Sequence, residues 1–167
     1  LNTLFGNIEY NYPMRNETSW TSMKVESLAV TLARIWLVDA DATYKVTWSR
    51  EGQSGWIVLR TLAGQGQMWL DDGPPMTVPA ETVLLLDRTR IRRYCSDEDQ
   101  WHFWWMEFYG AIPSDLNTHR PLDIPIDPSE VSEMQQCFDL LREDRPQASA
   151  LASAKLGMLL NEWRYHW

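Results

Sequence analysis

The strongest chemical signal in the sequence is an aromatic run over residues 101–109. If this run is a β-strand, successive side chains point to opposite faces. One face then carries Trp101, Phe103, Trp105 and Glu107. The other face carries His102, Trp104, Met106 and Phe108. We expect one face to line an interior and the other to pack against further elements.

Such an aromatic face suits a small polar ligand. Indole rings stack on the apolar C–H faces of a sugar, whose hydroxyls need polar partners. The pattern therefore predicts a small polar ligand, such as a sugar or a related metabolite, between Trp105 and Arg50, with Tyr94 nearby. Glu107 is expected to accept hydrogen bonds from the Arg50 guanidinium when the site is empty. In the alternative interpretation, Arg50 lies at the surface and the rings only fill a core.

Motifs for catalysis or metal binding are absent from the sequence. The histidines, His102, His119 and His166, form no His-x-His pair, and no carboxylate stands at a ligand spacing from them. Metal sites need several converging ligands, so we expect no metal and no cofactor. No Gly-x-Ser-x-Gly, His-Glu-x-x-His or phosphate-loop pattern occurs. These observations favour a protein that is not an enzyme.

Charge and composition exclude several partners. The 23 acidic and 15 basic residues give a net charge of −8, which repels a phosphate backbone. No apolar run approaches the roughly 20 residues of a membrane-spanning helix. Cys95 and Cys137 are too few for a disulfide framework, so we expect buried thiols in a reducing, cytoplasmic compartment.

Positive charge is concentrated in residues 88–93. The arginines are Arg88, Arg90, Arg92 and Arg93. The first three alternate, so in a strand they would share a face. We favour a solvated loop and strand edge, or pairing with the acidic residues 97–99, over an anion-binding site.

The chain divides near residues 121–128 into a strand-rich part and a helical part. The strand-like segments are residues 27–36, 44–50, 56–63, 82–86, 91–95 and 101–109. Asp-Asp-Gly-Pro at 71–74 predicts a hairpin turn. Residues 64–66, Gly-Gln-Gly, are expected to interrupt a strand, and residues 96–100 to form an acidic loop. Many short antiparallel strands favour a sandwich or barrel over residues 1–120.

Alternation within the first two segments assigns side chains to faces. In the first segment, one face is predicted to carry Leu28, Val30, Leu32 and Trp36. In the second, one face is predicted to carry Tyr44, Val46, Trp48 and Arg50. If the second face points inward, Arg50 reaches the ligand.

Residues 121–167 are predicted to form a linker and two amphipathic helices. Asp127 can cap the first helix, Pro128 suits its first position, and Glu130 completes a capping box. A narrow seam then follows at spacings of 3, 4 and 3: Val131, Met134, Phe138 and Leu141. Such a seam is typical of a coiled coil and predicts a homodimer. The second helix begins near residue 147 and has an apolar face of Ala152, Leu156, Leu159, Leu160 and Trp163.

Residues 48–110 resemble the N-terminal sensor domain of AraC-type transcriptional regulators. The resemblance lies in an order of features. These are Ser49-Arg50 before the strand at 55–60, Gly-Gln-Gly at 64–66, the hairpin at 71–73, the Pro79 turn, the buried strand at 83–86, Arg92-Arg93-Tyr94, and the aromatic run ending at Gly110. Three positions depart from the family pattern: Ala80 before Glu81, Arg92 before the Arg-Tyr pair, and Phe103, which stands where a polar pocket residue can occur.

This resemblance implies a cupin-like antiparallel β-barrel of the jelly-roll type, followed by helices that form a homodimer. It carries effector contacts over to Arg50, Tyr94, Phe103 and Trp105, and it implies that residues 1–18 form an arm over the pocket. In the family, a domain with two helix-turn-helix units follows and binds DNA. The chain lacks a starting Met and ends within a helix, so we expect it to be part of such a longer protein.

The function predicted on this basis is effector sensing and dimerisation within an AraC-like regulator. Two alternatives remain open from the residues: a cupin-type enzyme, such as an isomerase or dioxygenase, and a stand-alone carbohydrate-binding module. The scarcity of histidines disfavours the enzyme, and the helical tail disfavours the module. The expected partners are a small effector and a second copy of the chain, with no membrane.

Overall fold

The computed structural model describes residues 28–48, 54–113, 116 and 118–166. Seven strands precede two helices. The strands are β1 Val30–Asp41, β2 Lys45–Thr47, β3 Trp56–Leu70, β4 Pro75–Pro79, β5 Thr82–Asp87, β6 Ile91–Gly110 and β7 Leu122–Asp123. The helices are α1 Pro128–Arg142 and α2 Pro146–Tyr165, and a single 3₁₀ turn, Arg88–Arg90, joins β5 to β6. The expectation of a mostly β protein with two C-terminal helices is confirmed.

All seven strands belong to one antiparallel sheet, in the order β1-β6-β3-β5-β7. Strand β2 adds to β6, and β4 adds to β3. Over the described residues β1 and β7 are not paired with each other, so the sheet is not the closed barrel that we expected. The two central strands, β6 and β3, are long enough to contribute to both halves of the sheet.

Strand β6 runs without interruption from Ile91 to Gly110, so the acidic loop predicted at 96–100 is wrong. The strand nevertheless folds back over itself. Tyr94 and Trp105 are eleven residues apart, which is roughly 36 Å along a straight strand, yet their rings stack at 4.7 Å. The two halves of β6 therefore face each other and enclose a layer of side chains.

Glycines allow this close approach. Strand β3 also continues through the predicted interruption at 64–66, with register shifts there and at Thr61. Gly64 has a φ of +67°, and a Cβ on it would lie 1.9 Å from the carbonyl oxygen of Gln100. A Cβ on Gly66 would lie 2.5 Å from the Trp101 ring. The Gly-Gln-Gly sequence thus marks a bend within one strand rather than its end.

Two cores lie on opposite faces of the sheet. The helix-side core packs the sheet against α1 and α2 and includes Leu32, Val58, Leu85, Trp104, Met106, Phe108, Met134, Leu156, Leu160 and Trp163. The cavity-side core includes Ile57, Leu59, Met68, Leu84, Leu86, Ile91, Tyr94, Trp101, Phe103 and Trp105. The alternation predicted for residues 101–108 is confirmed, since its two faces enter different cores.

A bulge in β1 overturns one face prediction. Leu32 and Ile35 pack on the helix side, opposite Phe108 and Met106, because the register shifts between Leu32 and Arg34. The extra residue turns Trp36 to the cavity side. Trp36 therefore does not share a face with Leu32.

The helices form largely as predicted. Asp127 caps α1, accepting from the backbone N–H of Ser129 at 2.7 Å. Glu130 does not complete a capping box, because its carboxylate instead binds the buried guanidinium of Arg60 at 2.5 and 3.0 Å. The apolar face predicted for α2 is buried. Neither α1 nor α2 combines the length and apolar character needed to cross a membrane.

The predicted seam of α1 packs on its own chain. Met134 is fully buried, and the partly buried Val131, Phe138 and Leu141 contact the helix-side core. Phe138 meets Trp104 edge-on at 5.9 Å. Dimerisation through this seam stays a prediction, and only the exposed parts of these side chains are available for it.

Candidate ligand-binding site

A cavity of about 250 Å³ opens on the cavity side of the sheet. Its lining is mostly aromatic with three charged side chains: Arg34, Trp36, Val38, Tyr44, Trp48, Arg88, Tyr94, Phe103, Trp105 and Glu107. At about 30 Å³ per water molecule, this volume holds roughly eight waters. The cavity therefore suits a molecule of monosaccharide size rather than a large cofactor.

Stacked rings form the wall of the cavity. Tyr94 lies on Trp105 with centroids 4.7 Å apart. Trp48 stands 5.6 Å from Trp105 at an angle of 43°, and Tyr44 lies 6.2 Å from Phe103. Because Trp48 is only half-buried, it can present part of its ring to a ligand.

A buried ion pair forms the polar part of the lining. Arg88 and Glu107 are 7% and 2% exposed, and Arg88 Nη2 lies 3.2 Å from Glu107 Oε2. Trp105 Nε1 donates to Glu107 Oε1 at 3.4 Å. The Arg88 guanidinium also lies 5.5 Å from the centroid of the Trp48 ring. The site thus places a donor and an acceptor side by side against aromatic rings.

Glu107 Oε2 and Trp48 Nε1 are buried polar atoms of this lining that form no hydrogen bond with the described residues. The contact of Glu107 Oε2 with Arg88 is an ion pair without hydrogen-bond alignment. Most buried polar atoms in proteins have a hydrogen-bond partner. One acceptor and one donor are therefore available to a ligand with hydroxyl groups.

The tyrosines of the site are neutral donors. Burial raises the pKa of Tyr94, and the neighbouring Tyr44 raises it further. Burial also raises the pKa of Tyr44. Both phenols therefore stay protonated at neutral pH.

The structure brings most of the predicted site together. Tyr94, Phe103, Trp105 and Glu107 all line the cavity. Arg50 and the proposed arm at residues 1–18 lie outside the described residues. Whether any of these residues binds a ligand stays a prediction.

Arg88 is one of the pocket residues that the sequence interpretation missed; Arg34 and Val38 are others. The sequence predicts Arg88, with its neighbours, at a solvated edge, but it is buried in the cavity. A usable signal exists, because Leu84 and Leu86 of β5 face the cavity side and Arg88 follows at the same spacing of two.

The other arginines of residues 88–93 do not line the cavity with Arg88. Each has its own neighbour: Arg90 pairs with Asp71 at 2.7 Å, Arg92 with Asp72 at 3.6 Å, and Arg93 lies 3.7 Å from the centroid of the Trp69 ring. The acidic partners come from the hairpin rather than from residues 97–99. Asp97 instead accepts from the side chains of Gln65 and Gln67.

Metal ligands do not converge in the part of the chain that the structure describes, where no three His, Cys, Asp or Glu side chains form a group. A larger groove of about 700 Å³ lies between the start of β1 and α2. Its lining by described residues has no charged side chain, and it includes Leu28, Val30, Ser153, Gly157 and Met158. The aromatic cavity is therefore the better candidate for specific binding.

Comparison with known proteins gives one curated relative. No family model matches the chain. An uncharacterized HTH-type transcriptional regulator, YidL, of Escherichia coli (strain K12) is 24% identical over 168 residues, covering 90% of this chain and 54% of that protein. The chain thus spans about half the length of this relative.

The solved structures that are similar to this chain include cupins, with low TM-scores. A cupin protein from Bacteroides fragilis aligns with a TM-score of 0.41 and 16% identity, over 64% of this chain and 92% of that one. An RmlC-like cupin from Desulfovibrio desulfuricans aligns with a TM-score of 0.35 and 12% identity, over 56% and 96%. Scores this low carry no functional conclusion.

Proposed function

We propose that this chain is the effector-sensing region of an AraC-like transcriptional regulator. The observation that carries the proposal is the aromatic cavity with the Arg88–Glu107 pair in its lining. The regulator relative supports the wider role, because its similarity extends over most of this chain. DNA binding belongs to a part of the protein outside these residues, since a net charge of −8 opposes contact with phosphates.

The effector is a small polar molecule with a ring, such as a sugar. An apolar ring face packs on Trp48 and Trp105, which contributes most of the binding free energy. Hydroxyls donate to Glu107 Oε2 and accept from Arg88 or Tyr94. Because Glu107 and Arg88 are nearly fully buried, these hydrogen bonds form away from water and fix the orientation of the ring.

The effect of ligand binding is transmitted to the helices through the sheet. Trp105 and Glu107 lie on the cavity face of β6, while Trp104 and Met106 between them pack in the helix-side core. A shift of β6 on ligand binding therefore moves residues that contact α1. A change in the cavity is thereby transmitted to a domain that follows α2.

A thermal-shift screen of sugars and related metabolites tests the binding role. A ligand that binds only the folded state raises the melting temperature. We expect a hit to stabilise the wild type and the Trp69→Ala variant, whose ring lies outside the cavity, but not Trp48→Ala. Equal stabilisation of all three proteins would contradict binding in this cavity.

The regulatory role has its own test. The coding sequence that follows Trp167 is expected to encode a basic, helix-rich segment with helix-turn-helix units. In the longer protein, the same hit should change affinity for the promoter DNA in a gel-shift titration. A stop codon soon after Trp167, or turnover of the hit to a product, would favour the binding module or the enzyme instead.

A further inference from the structure

Arg34 of β1 stands at the mouth of the aromatic cavity. It is exposed, and it lines both the cavity and an adjoining groove of about 290 Å³ between β1 and α1. In the sheet register it lies directly opposite Glu107 of β6. Opposite charges at directly facing positions of neighbouring strands attract each other.

Glu107 is already engaged by a different arginine. Its carboxylate lies 3.2 Å from Arg88, and Arg34 forms no ion pair or hydrogen bond with any described residue. Among the described residues, the lining of the cavity therefore has two guanidinium groups and one carboxylate. A local surplus of one positive charge is unusual in a chain whose net charge is −8.

The adjoining groove adds a second cation at the same mouth. It is lined by Arg34, Ile35, Trp36, Phe138, Leu141 and Arg142. Arg142 lies 5.9 Å from the centroid of the Phe138 ring, and its nearest carboxylate, Asp139, is 3.9 Å away and exposed. The negative end of the α1 dipole and Asp139 weaken this second site, so Arg34 is the main anchor.

We propose that the effector carries an anionic group, a carboxylate or a phosphate, which Arg34 binds at the cavity mouth. This inference rests on the proposed function and specifies its ligand. The ring lies against Trp48 and Trp105, hydroxyls meet the Arg88–Glu107 pair, and the anion extends toward the groove. Arginine suits this task because its planar fork donates two hydrogen bonds to a carboxylate or phosphate. Sugar acids and sugar phosphates have this combination of groups.

Charge decides between this ligand and a neutral one. A neutral sugar would use the ring wall and the Arg88–Glu107 pair but would leave Arg34 in water. A cationic ligand would meet a mouth that is positive overall and is disfavoured. An anion gains a charge-assisted hydrogen bond, which is roughly twice as strong as a neutral one.

Matched pairs of probes test the inference by calorimetry on the 167-residue chain. The pairs are D-galactose with D-galacturonate, and D-glucose with D-glucose 6-phosphate. We expect an anionic member to bind about tenfold more tightly than its neutral partner. Added salt should weaken only the anionic member.

Two variants localise the effect. Arg34→Gln should remove about tenfold of affinity for the anionic probe and leave the neutral probe unchanged. Arg120→Gln removes the same charge from an exposed position outside the cavity lining and should change neither. Equal loss in both variants would overturn the inference, since only long-range charge would then be at work.

The outcomes also separate this inference from the proposed function. Equal affinity of neutral and anionic probes, with both lost in Trp48→Ala, would overturn the anionic ligand but support the cavity as the sensing site. No binding of any anionic probe at up to about 10 mM would overturn the inference. Failure of the whole metabolite screen to stabilise the wild type would contradict the proposed function as well.

Discussion

The buried pair between Arg60 of β3 and Glu130 of α1 should make a large contribution to stability that can be measured. Both side chains are nearly inaccessible, at 0% and 7% exposure, and their two hydrogen bonds measure 2.5 and 3.0 Å. Glu130→Ala would leave the Arg60 guanidinium with one acceptor, the carbonyl oxygen of Pro125 at 3.2 Å. Removing one partner of such a pair destabilises by about 3–5 kcal/mol, because a buried charge loses its partner.

Urea denaturation followed by tryptophan fluorescence measures this loss. For a domain of this length, 3–5 kcal/mol corresponds to a fall in melting temperature of roughly 10 °C. The paired change Arg60→Met with Glu130→Leu should recover most of the loss, because no charge then remains buried.

The control lies on the same helix. Glu133 of α1 pairs with Lys155 of α2 at 2.5 Å, but their side chains are 35% and 18% exposed. Glu133→Ala should therefore cost less than about 1 kcal/mol. If Glu130→Ala cost no more than Glu133→Ala, or if the paired change recovered nothing, the role assigned to burial would be refuted.

Three further predictions concern the bend, the thiols and the helices. Gly64→Ala should lower the free energy of unfolding by about 2 kcal/mol or more in urea denaturation, because the new Cβ would clash with Gln100 and the φ of residue 64 is positive. No measurable loss of stability would contradict the bend at this position. Burial raises the pKa of the Cys137 thiol to about 11. Ellman's reagent should therefore leave Cys137 unmodified in the native protein and react with both Cys137 and Cys95 in denaturant. Fast reaction of two thiols in the native protein would be inconsistent with this burial. If α1 forms a dimer, Phe138→Glu should yield monomers in light scattering at a temperature at which circular dichroism shows the variant to be folded, whereas a monomeric wild type at high micromolar concentration would exclude the dimer.

Period-two alternation in the sequence is sufficient to assign side chains to the faces of the sheet where strands are regular. It separated Trp105 from Trp104 correctly, since consecutive residues of β6 enter opposite cores. It failed in β1, because a bulge adds one residue without any glycine or proline to mark it, and Trp36 changes face. Register shifts of this kind depend on pairing with a distant strand and have no local signature.

Partners that lie far apart in the chain set a second limit on what the sequence alone predicts. The capping-box pattern at Asp127 and Glu130 is local, but Glu130 binds Arg60, seventy residues earlier in the chain. The charged neighbours of Arg88 predict a solvated edge, but Glu107 pairs with Arg88 inside the cavity. In both cases the buried partner, rather than the local pattern, determines what the side chain does.

The most direct test of the central claim, that the aromatic cavity binds the effector, is a fluorescence titration of the strongest hit from the metabolite screen. The ligand should change tryptophan emission with saturation in the wild type and with the same midpoint in Trp69→Ala. In Trp48→Ala, whose unliganded melting temperature serves as the check on folding, the midpoint should rise at least about tenfold, because stacking on one wall is lost. An unchanged midpoint in Trp48→Ala would contradict the account.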